Sequence, residues 1–291
     1  MKFQTIIAMA IATLVFQSCQ KEPGTGTSEA KVNFIFKFDS TQVRLNAIGQ
    51  ASPMPLGNAG QSPRFNTMSA HYVELAPSAF TALGTGAILY KAPQVNTGGT
   101  TAIDFSNSKF AGNNQVFLSV PIKSFATGTY NWLRISLAYQ NYNIYVNASG
   151  QTIDATLASF IGFNTYLSSF KVKDSTVVVN ANKLQGYWGL EGKFSGFGFL
   201  LTGQAPPGAT TVPNPLFASS PIPQGSCVVT AQFSSPFIVT GNETKDINII
   251  VSLSTNKSFE WIDVDNNGTY DPNNGDQVID MGIRGMIPIM Q

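Results

Sequence analysis

The chain has 291 residues, with 17 Lys and Arg, 16 Asp and Glu, and one His, for a formal net charge of +1. Charged side chains make up 11% of it, against roughly 25% in a typical soluble domain, while apolar content is ample and net charge near zero, which excludes a disordered chain. The basic residues are scattered singly, so the clustered Lys and Arg of a nucleic-acid-binding surface are missing and a nucleic-acid partner is not expected.

The length suits one large β domain or two smaller ones. Residues 1–18 carry a single charge, Lys2, ahead of an apolar run from Ile6 to Phe16. That run is about half the length of a membrane-spanning helix and reads as a secretory signal. Its end, Val15-Phe16-Gln17-Ser18-Cys19, resembles the lipobox of bacterial lipoproteins in the form met in Bacteroidota, where Phe, Gln and Ser stand before the cysteine in place of the commoner Leu-Ala-Gly. The resemblance is confined to this N-terminal stretch. It implies cleavage before Cys19 by signal peptidase II, lipidation of Cys19, and an outer-membrane lipoprotein. Several acyl chains bury enough methylenes for stable anchoring, which one chain does not. An ordinary signal peptide with an incidental cysteine is the alternative.

Residues 19–30 then form the lipidated cysteine and a Gly-, Thr- and Ser-containing tether. Gln20-Lys21-Glu22-Pro23 resembles the surface-export signal of such lipoproteins, with one acid where several are usual, and implies display at the cell surface. With Cys19 acylated, the second cysteine, Cys227, is expected to be a buried thiol, because Gly225 to Phe233 alternates like a strand.

From residue 31 onward the dominant signal is period-two alternation. Val32, Phe34, Phe36 and Phe38 fall on one face of the first strand. Similar runs follow at 71–75, 87–91, 115–120, 129–146, 170–179, 194–201, 227–233, 247–253, 258–264 and 277–284, separated by turn formers such as Thr127-Gly128 and Asn147-Ala-Ser-Gly150. Pro77 to Leu83 suits a short helix begun by proline, and Ile153 to Leu167 fits helix or strand. Many short strands without intervening helices predict an all-β fold, an antiparallel β-sandwich or jelly-roll. The segment 203–225 holds six prolines and is a loop or linker. It divides a β-sandwich at 31–202 from a C-terminal β region at 226–291, or is an excursion on a single sandwich.

The acids gather once, in Asp263-Val-Asp-Asn-Asn-Gly-Thr-Tyr-Asp271. A hard cation takes six to eight oxygens, and alternate side chains around a glycine can converge on it. The loop resembles the Asp-x-Asp-x-Asn-Gly calcium loops of EF-hands and dockerins. That resemblance implies ligands from Asp263, Asp265, Asn267, the Thr269 carbonyl and Asp271. Two departures stand out: Asn274 takes the place of the usual twelfth-position Glu, and the flanks read as strands. Asp276 is placed to supply the missing carboxylate. A hairpin turn of Asp, Asn and Gly with no ion is the alternative.

Trp132, Trp188 and Trp261 offer a sugar-stacking surface, or core. Asp39-Ser-Thr41 and Asp174-Ser-Thr176 resemble three-residue O-glycosylation sites of Bacteroidota envelope proteins. His71, the single histidine, is not expected to be catalytic, and Gly192 to Gly198 lacks the strand-loop-helix setting of a phosphate loop. The functional expectation is a non-enzymatic, lipid-anchored binding or adhesion protein with a glycan or envelope-protein partner and a structural calcium. The alternatives are a pilin-like subunit assembled by strand donation, and a glycan hydrolase, which needs two carboxylates in a cleft.

Overall fold

The computed structural model describes residues 29–205 and 226–291; Cys19, the apolar N-terminal run and nearly all of the Pro-rich segment lie outside the described residues. The strands in chain order are β1 (Lys31–Asp39), β2 (Asn58–Gln61), β3 (Arg64–Ala76), β4 (Ala87–Lys91), β5 (Gln94–Val95), β6 (Ala102–Asp104), β7 (Gln115–Pro121), β8 (Gly128–Ala148), β9 (Gln151–Phe160), β10 (Thr165–Lys171), β11 (Thr176–Lys183), β12 (Tyr187–Phe194), β13 (Phe197–Gln204), β14 (Cys227–Val239), β15 (Ile247–Ser254), β16 (Phe259–Ile262), β17 (Gln277–Met281) and β18 (Met286–Met290). The fold is all-β and sandwich-like, as the alternation predicts.

The long strand β8 organises the largest sheet. One edge pairs with β3, from Arg64↔Asn143 to Ala76↔Trp132. Along its other edge, β8 pairs first with β14, up to Leu137↔Cys227, and then with β9, from Tyr139↔Phe160 onward. The change of partner falls at Ala138, whose carbonyl accepts hydrogen bonds from Ile161 N (2.9 Å) and Gly162 N (3.1 Å). Opposite β3 the pairing skips Ala138, a β-bulge, so the alternation changes parity there. Leu133, Ile135 and Leu137 enter the main core, whereas Tyr142, Ile144 and Val146 enter a second cluster. Tyr139 turns to a third.

A four-stranded sheet in the order β18-β15-β1-β7 packs on the first half of β8. Val32, Phe34 and Phe36 of β1, all fully buried, meet Leu133 and Ile135 there. β1 and β15 run parallel, a departure from a purely antiparallel sandwich, because these strands come from distant parts of the chain and no hairpin joins them. A three-stranded sheet, β17-β16-β2, covers part of the second cluster, and β11-β10-β6-β5 covers the third. Strands after residue 225 are woven into sheets begun before residue 205: β14 pairs with β8, β15 with β1, and β16 with β2.

Two local expectations are corrected, and one left open is resolved. Residues 77–83 form turns and no helix, because Arg134 Nη2 draws the carbonyls of Ser78 and Ala79 towards itself (3.3 and 3.0 Å). The Ser78 carbonyl also accepts from Thr81 N (3.3 Å), a single turn that is not continued into a helix. The ambiguous run 153–167 is two strands with Gly162 at the turn, and 170–179 is likewise split into β10 and β11. The Glu191 carboxylate makes the latter turn by accepting from Lys173 N (2.8 Å), Asp174 N (3.0 Å) and Ser175 N (3.1 Å).

Candidate functional site

β16 and β17 pair from Phe259↔Met281 to Ile262↔Gln277, and the acidic segment 263–276 is the connection between them. Asp, Asn and Gly suit this loop because three residues take left-handed backbone: Asn266 (φ 56°), Gly268 (φ 73°) and Gly275 (φ 100°). Asp263 accepts from Asn267 N (3.2 Å) and Gly268 N (2.9 Å). From the far end, Asp276 accepts from Val264 N (3.0 Å) and Asp271 N (2.8 Å). Asp263, Asp265 and Asp276 each place a carboxylate oxygen within 4.8 Å of the others.

The remaining expected ligands are arranged otherwise. The Asn267 side-chain carbonyl accepts from Thr269 N (2.6 Å), and its amide donates to Asp265 (2.7 Å). Asp271, 4% exposed, caps the short turn at 272–274 by accepting from Asn273 N (3.0 Å), and accepts also from the side-chain amides of Asn147 (3.2 Å) and Asn274 (3.0 Å). Asn274, in the place of the usual twelfth-position acid, therefore serves Asp271. The loop is tied to β8 by Asn147 N donating to the Tyr270 carbonyl (2.7 Å). Tyr270 packs on Phe259 and Trp261 at 5.2 and 5.6 Å.

The two ends of this hairpin differ in charge compensation. Near Phe259, the Glu260 carboxylate accepts from Arg44, from Arg284 Nη1 (2.8 Å) and from Asn58 Nδ2 (2.5 Å). Asp280, directly opposite Glu260, sits 3.4 Å from Arg284 Nε. Burial, with a smaller contribution from Glu260 and opposed by Arg284, pushes Asp280 up to about 7. At the loop end, by contrast, no Lys, Arg or His among the described residues forms an ion pair with Asp263, Asp265, Asp271 or Asp276. Three of these, Asp263, Asp271 and Asp276, are no more than 9% exposed. Buried carboxylates are ordinarily paired or metal-bound. Here only backbone and amide N–H groups meet them, an oxygen-rich arrangement of the kind that could hold a hard divalent cation.

The tryptophans do not form one surface. Trp261 is 1% exposed and belongs to the second core cluster, between Phe259 and Tyr270, so it has no face for a sugar. Trp188, half-buried on β12, lies over Gly203 of β13, where a Cβ would meet the indole at 2.4 Å. Trp132, also half-buried, lies on β8 opposite Ala76 and Gln232. Cys227 is buried, as its alternating strand predicts. His71 is 1% exposed and stacked on Phe163 at 5.4 Å; burial, with Lys91 adding to it, lowers it to about 4, so it is neutral at pH 7. Both short glycosylation-like motifs lie at turns, with Ser40, Thr41 and Thr176 exposed.

A shallow open depression of about 240 Å³ is lined by Phe38, Ser40, Ser62, Arg64, Phe65 and Asn113 among others, and holds no carboxylate. Sequence reading missed the Arg44–Glu260–Arg284 cluster and a second buried pair, Arg134 with Glu74 (3.5 Å, both side chains fully buried). Charged residues standing singly in apolar sequence were the available signal. Compared with known proteins, the chain matches no protein-family model, no curated protein and no solved structure.

Proposed function

We propose that this chain is an exported, lipid-anchored protein of the cell envelope whose all-β body serves binding or adhesion without catalysis, and whose acidic loop is closed by a structural calcium ion. The observation that carries the calcium reading is the convergence of Asp263, Asp265 and Asp276 within 4.8 Å in a loop with no basic partner among the described residues. A cation bridging the start and end of the loop ties β16 to β17, and thereby seats Trp261 and Phe259 against Tyr142 and Ile144 in the second core. Calcium is abundant outside the cell, where modules of this kind bind with dissociation constants on the order of 0.1 to 1 mM.

The anchoring rests on the sequence: the short apolar run, the lipobox-like residues 15–19 and the low content of charged side chains, 11%. Cys19 takes the lipid, and a glycan or another envelope protein is the partner class. The test is mass spectrometry of the N-terminal peptide of the full chain recovered from bacterial membranes, beside a Cys19→Ser variant. Acyl mass on Cys19, with loss of membrane fractionation in the variant, is the expected result. An unacylated Cys19 in a soluble wild-type chain overturns the reading.

A further inference from the structure

We propose that β13, with the apolar face it shares with β12, is a self-association surface on which a second copy of the chain docks by two-fold, antiparallel pairing of β13 with β13. β13 reads Phe-Gly-Phe-Leu-Leu-Thr-Gly-Gln and pairs with β12 over its whole length, from Tyr187↔Gln204 to Phe194↔Phe197, with no shift in register. Among the described residues its other edge has no strand partner. A free edge of this kind is a template for another strand, and proteins ordinarily blunt such edges with short length, Pro, Lys or a bulge.

Among the described residues the remaining edge strands follow that rule: β14, paired only with β8, contains Pro236 and bulges against β8. β18 contains Pro288, and β7 ends in Pro121 and bulges against β1. β4 has five residues, a bulge and Lys91. β11 bulges against β10 and carries Asn180 at φ 51°. β17 has five residues and a bulge, while β2 and β5 have four and two residues. β13 alone among them has eight residues with no charge, no proline and no bulge.

Its face points the same way. The direct pairs Leu190↔Leu201, Gly192↔Phe199 and Phe194↔Phe197 put apolar side chains on the side of the second core. The sheet β17-β16-β2 buries that side over β8 and β9, yet Phe197 is 80% and Leu201 52% exposed. A contiguous apolar patch with an open edge marks an interaction site.

The occupant follows from charge and symmetry. In a strand paired with its own copy across a two-fold axis, a charge near the axis would stand close to its like. β13 carries none. Pairing the eight residues of each copy adds about eight N–H···O bonds and continues the apolar face across the axis. The chain that follows β13, residues 206–225, has six prolines, each without an N–H donor.

The test is sedimentation velocity of the full chain in non-ionic detergent at micromolar concentrations, wild type beside Leu201→Lys. The expected result is a concentration-dependent dimer, weakened at least tenfold by Leu201→Lys with the melting temperature near wild type. Both chains share residues 1–28, so association through that region cancels in the comparison. A monomeric wild type overturns the proposal, as does a dimer that Leu201→Lys leaves intact. Should that variant not fold, Thr202→Cys treated with a short bismaleimide decides: covalent dimer above the wild-type level supports the pairing, and its absence overturns it.

Discussion

Asp263 and Asp276 stand at opposite ends of the loop joining β16 to β17, yet each brings a carboxylate oxygen within 4.8 Å of the other and of Asp265. Each accepts from a backbone N–H in the middle of the loop, Asp263 from Gly268 and Asp276 from Asp271. At the other end of the same hairpin, Glu260 meets two arginines. Among the described residues the loop end has the acids without the bases, an asymmetry that a bound cation would remove.

Calcium should therefore stabilise the fold by mass action. At ten to a hundred times the dissociation constant the gain is about 1.4 to 2.7 kcal/mol. Scanning calorimetry should show a higher melting temperature in millimolar calcium than in chelator for the wild type. The pair Asp263→Ala and Asp265→Ala should lose that increment and melt alike in both. A wild-type melting temperature indifferent to calcium would contradict the assignment.

Asp280 should impose a pH dependence of definite sign. Its carboxyl is pushed up to about 7, above an unfolded value of roughly 3.9, so the folded chain holds the extra proton between those limits. Its contribution is full below about pH 4 and is lost as pH rises towards 7. His71, lowered to about 4, has the opposite sign: its contribution is present above its unfolded value and lost as pH falls. The stability of Asp280→Asn relative to wild type should accordingly grow with pH between about 4 and 7, by up to about 1.4 kcal/mol per unit, and level off above. Urea melts across that range measure it, and a constant difference would show that Asp280 does not titrate there.

Glu260→Gln should be costly. It leaves Arg44 and Arg284 without their shared carboxylate in a site where the Glu260 side chain is 1% exposed. Removing one member of a buried ion pair costs about 3 to 5 kcal/mol. Adding Arg44→Met should recover part of the loss, which denaturant melts of the single and double variants would reveal.

Gly162→Ala should also destabilise strongly. A Cβ at that position would stand 2.2 Å from the Leu137 carbonyl oxygen and 2.7 Å from the Ala138 Cα, so backbone would have to move where β8 changes partner. The expected loss is at least about 1 to 3 kcal/mol, read from the same melts. A neutral effect would mean that the bulge tolerates a wider approach.

Much of the fold is legible in the sequence because strands buried on one face alternate. The burial of Val32, Phe34 and Phe36 follows directly from β1 read alone. The bulge at Ala138 is not legible, since it depends on the close approach of Gly162, which belongs to the following turn. Likewise, 77–83 has the residues of a short helix but forms turns that meet Arg134, distant in sequence, through the Ser78 and Ala79 carbonyls. At the site, alternation of Asp and Asn around Gly268 pointed to Asp263 and Asp265, and the missing twelfth ligand to Asp276. Why Asp271 turns to Asn147 instead is a tertiary matter, because Asn147 lies on β8, 124 residues earlier. Trp261 illustrates the same limit: its alternating strand gives it a face, and only Phe259, Tyr270 and their neighbours decide that the face is covered. The charge cluster depends on contacts such as Arg44 with Glu260, 216 residues apart, which no local pattern announces.

The central structural claim is a calcium ion held by Asp263, Asp265 and Asp276, and calorimetric titration of calcium into the chelator-stripped full chain tests it most directly. The expected result is a saturable site of one ion per chain, with a dissociation constant on the order of 0.1 to 1 mM, abolished by Asp263→Asn together with Asp276→Asn. Titration heat no different from buffer, or binding that survives both substitutions, would contradict it.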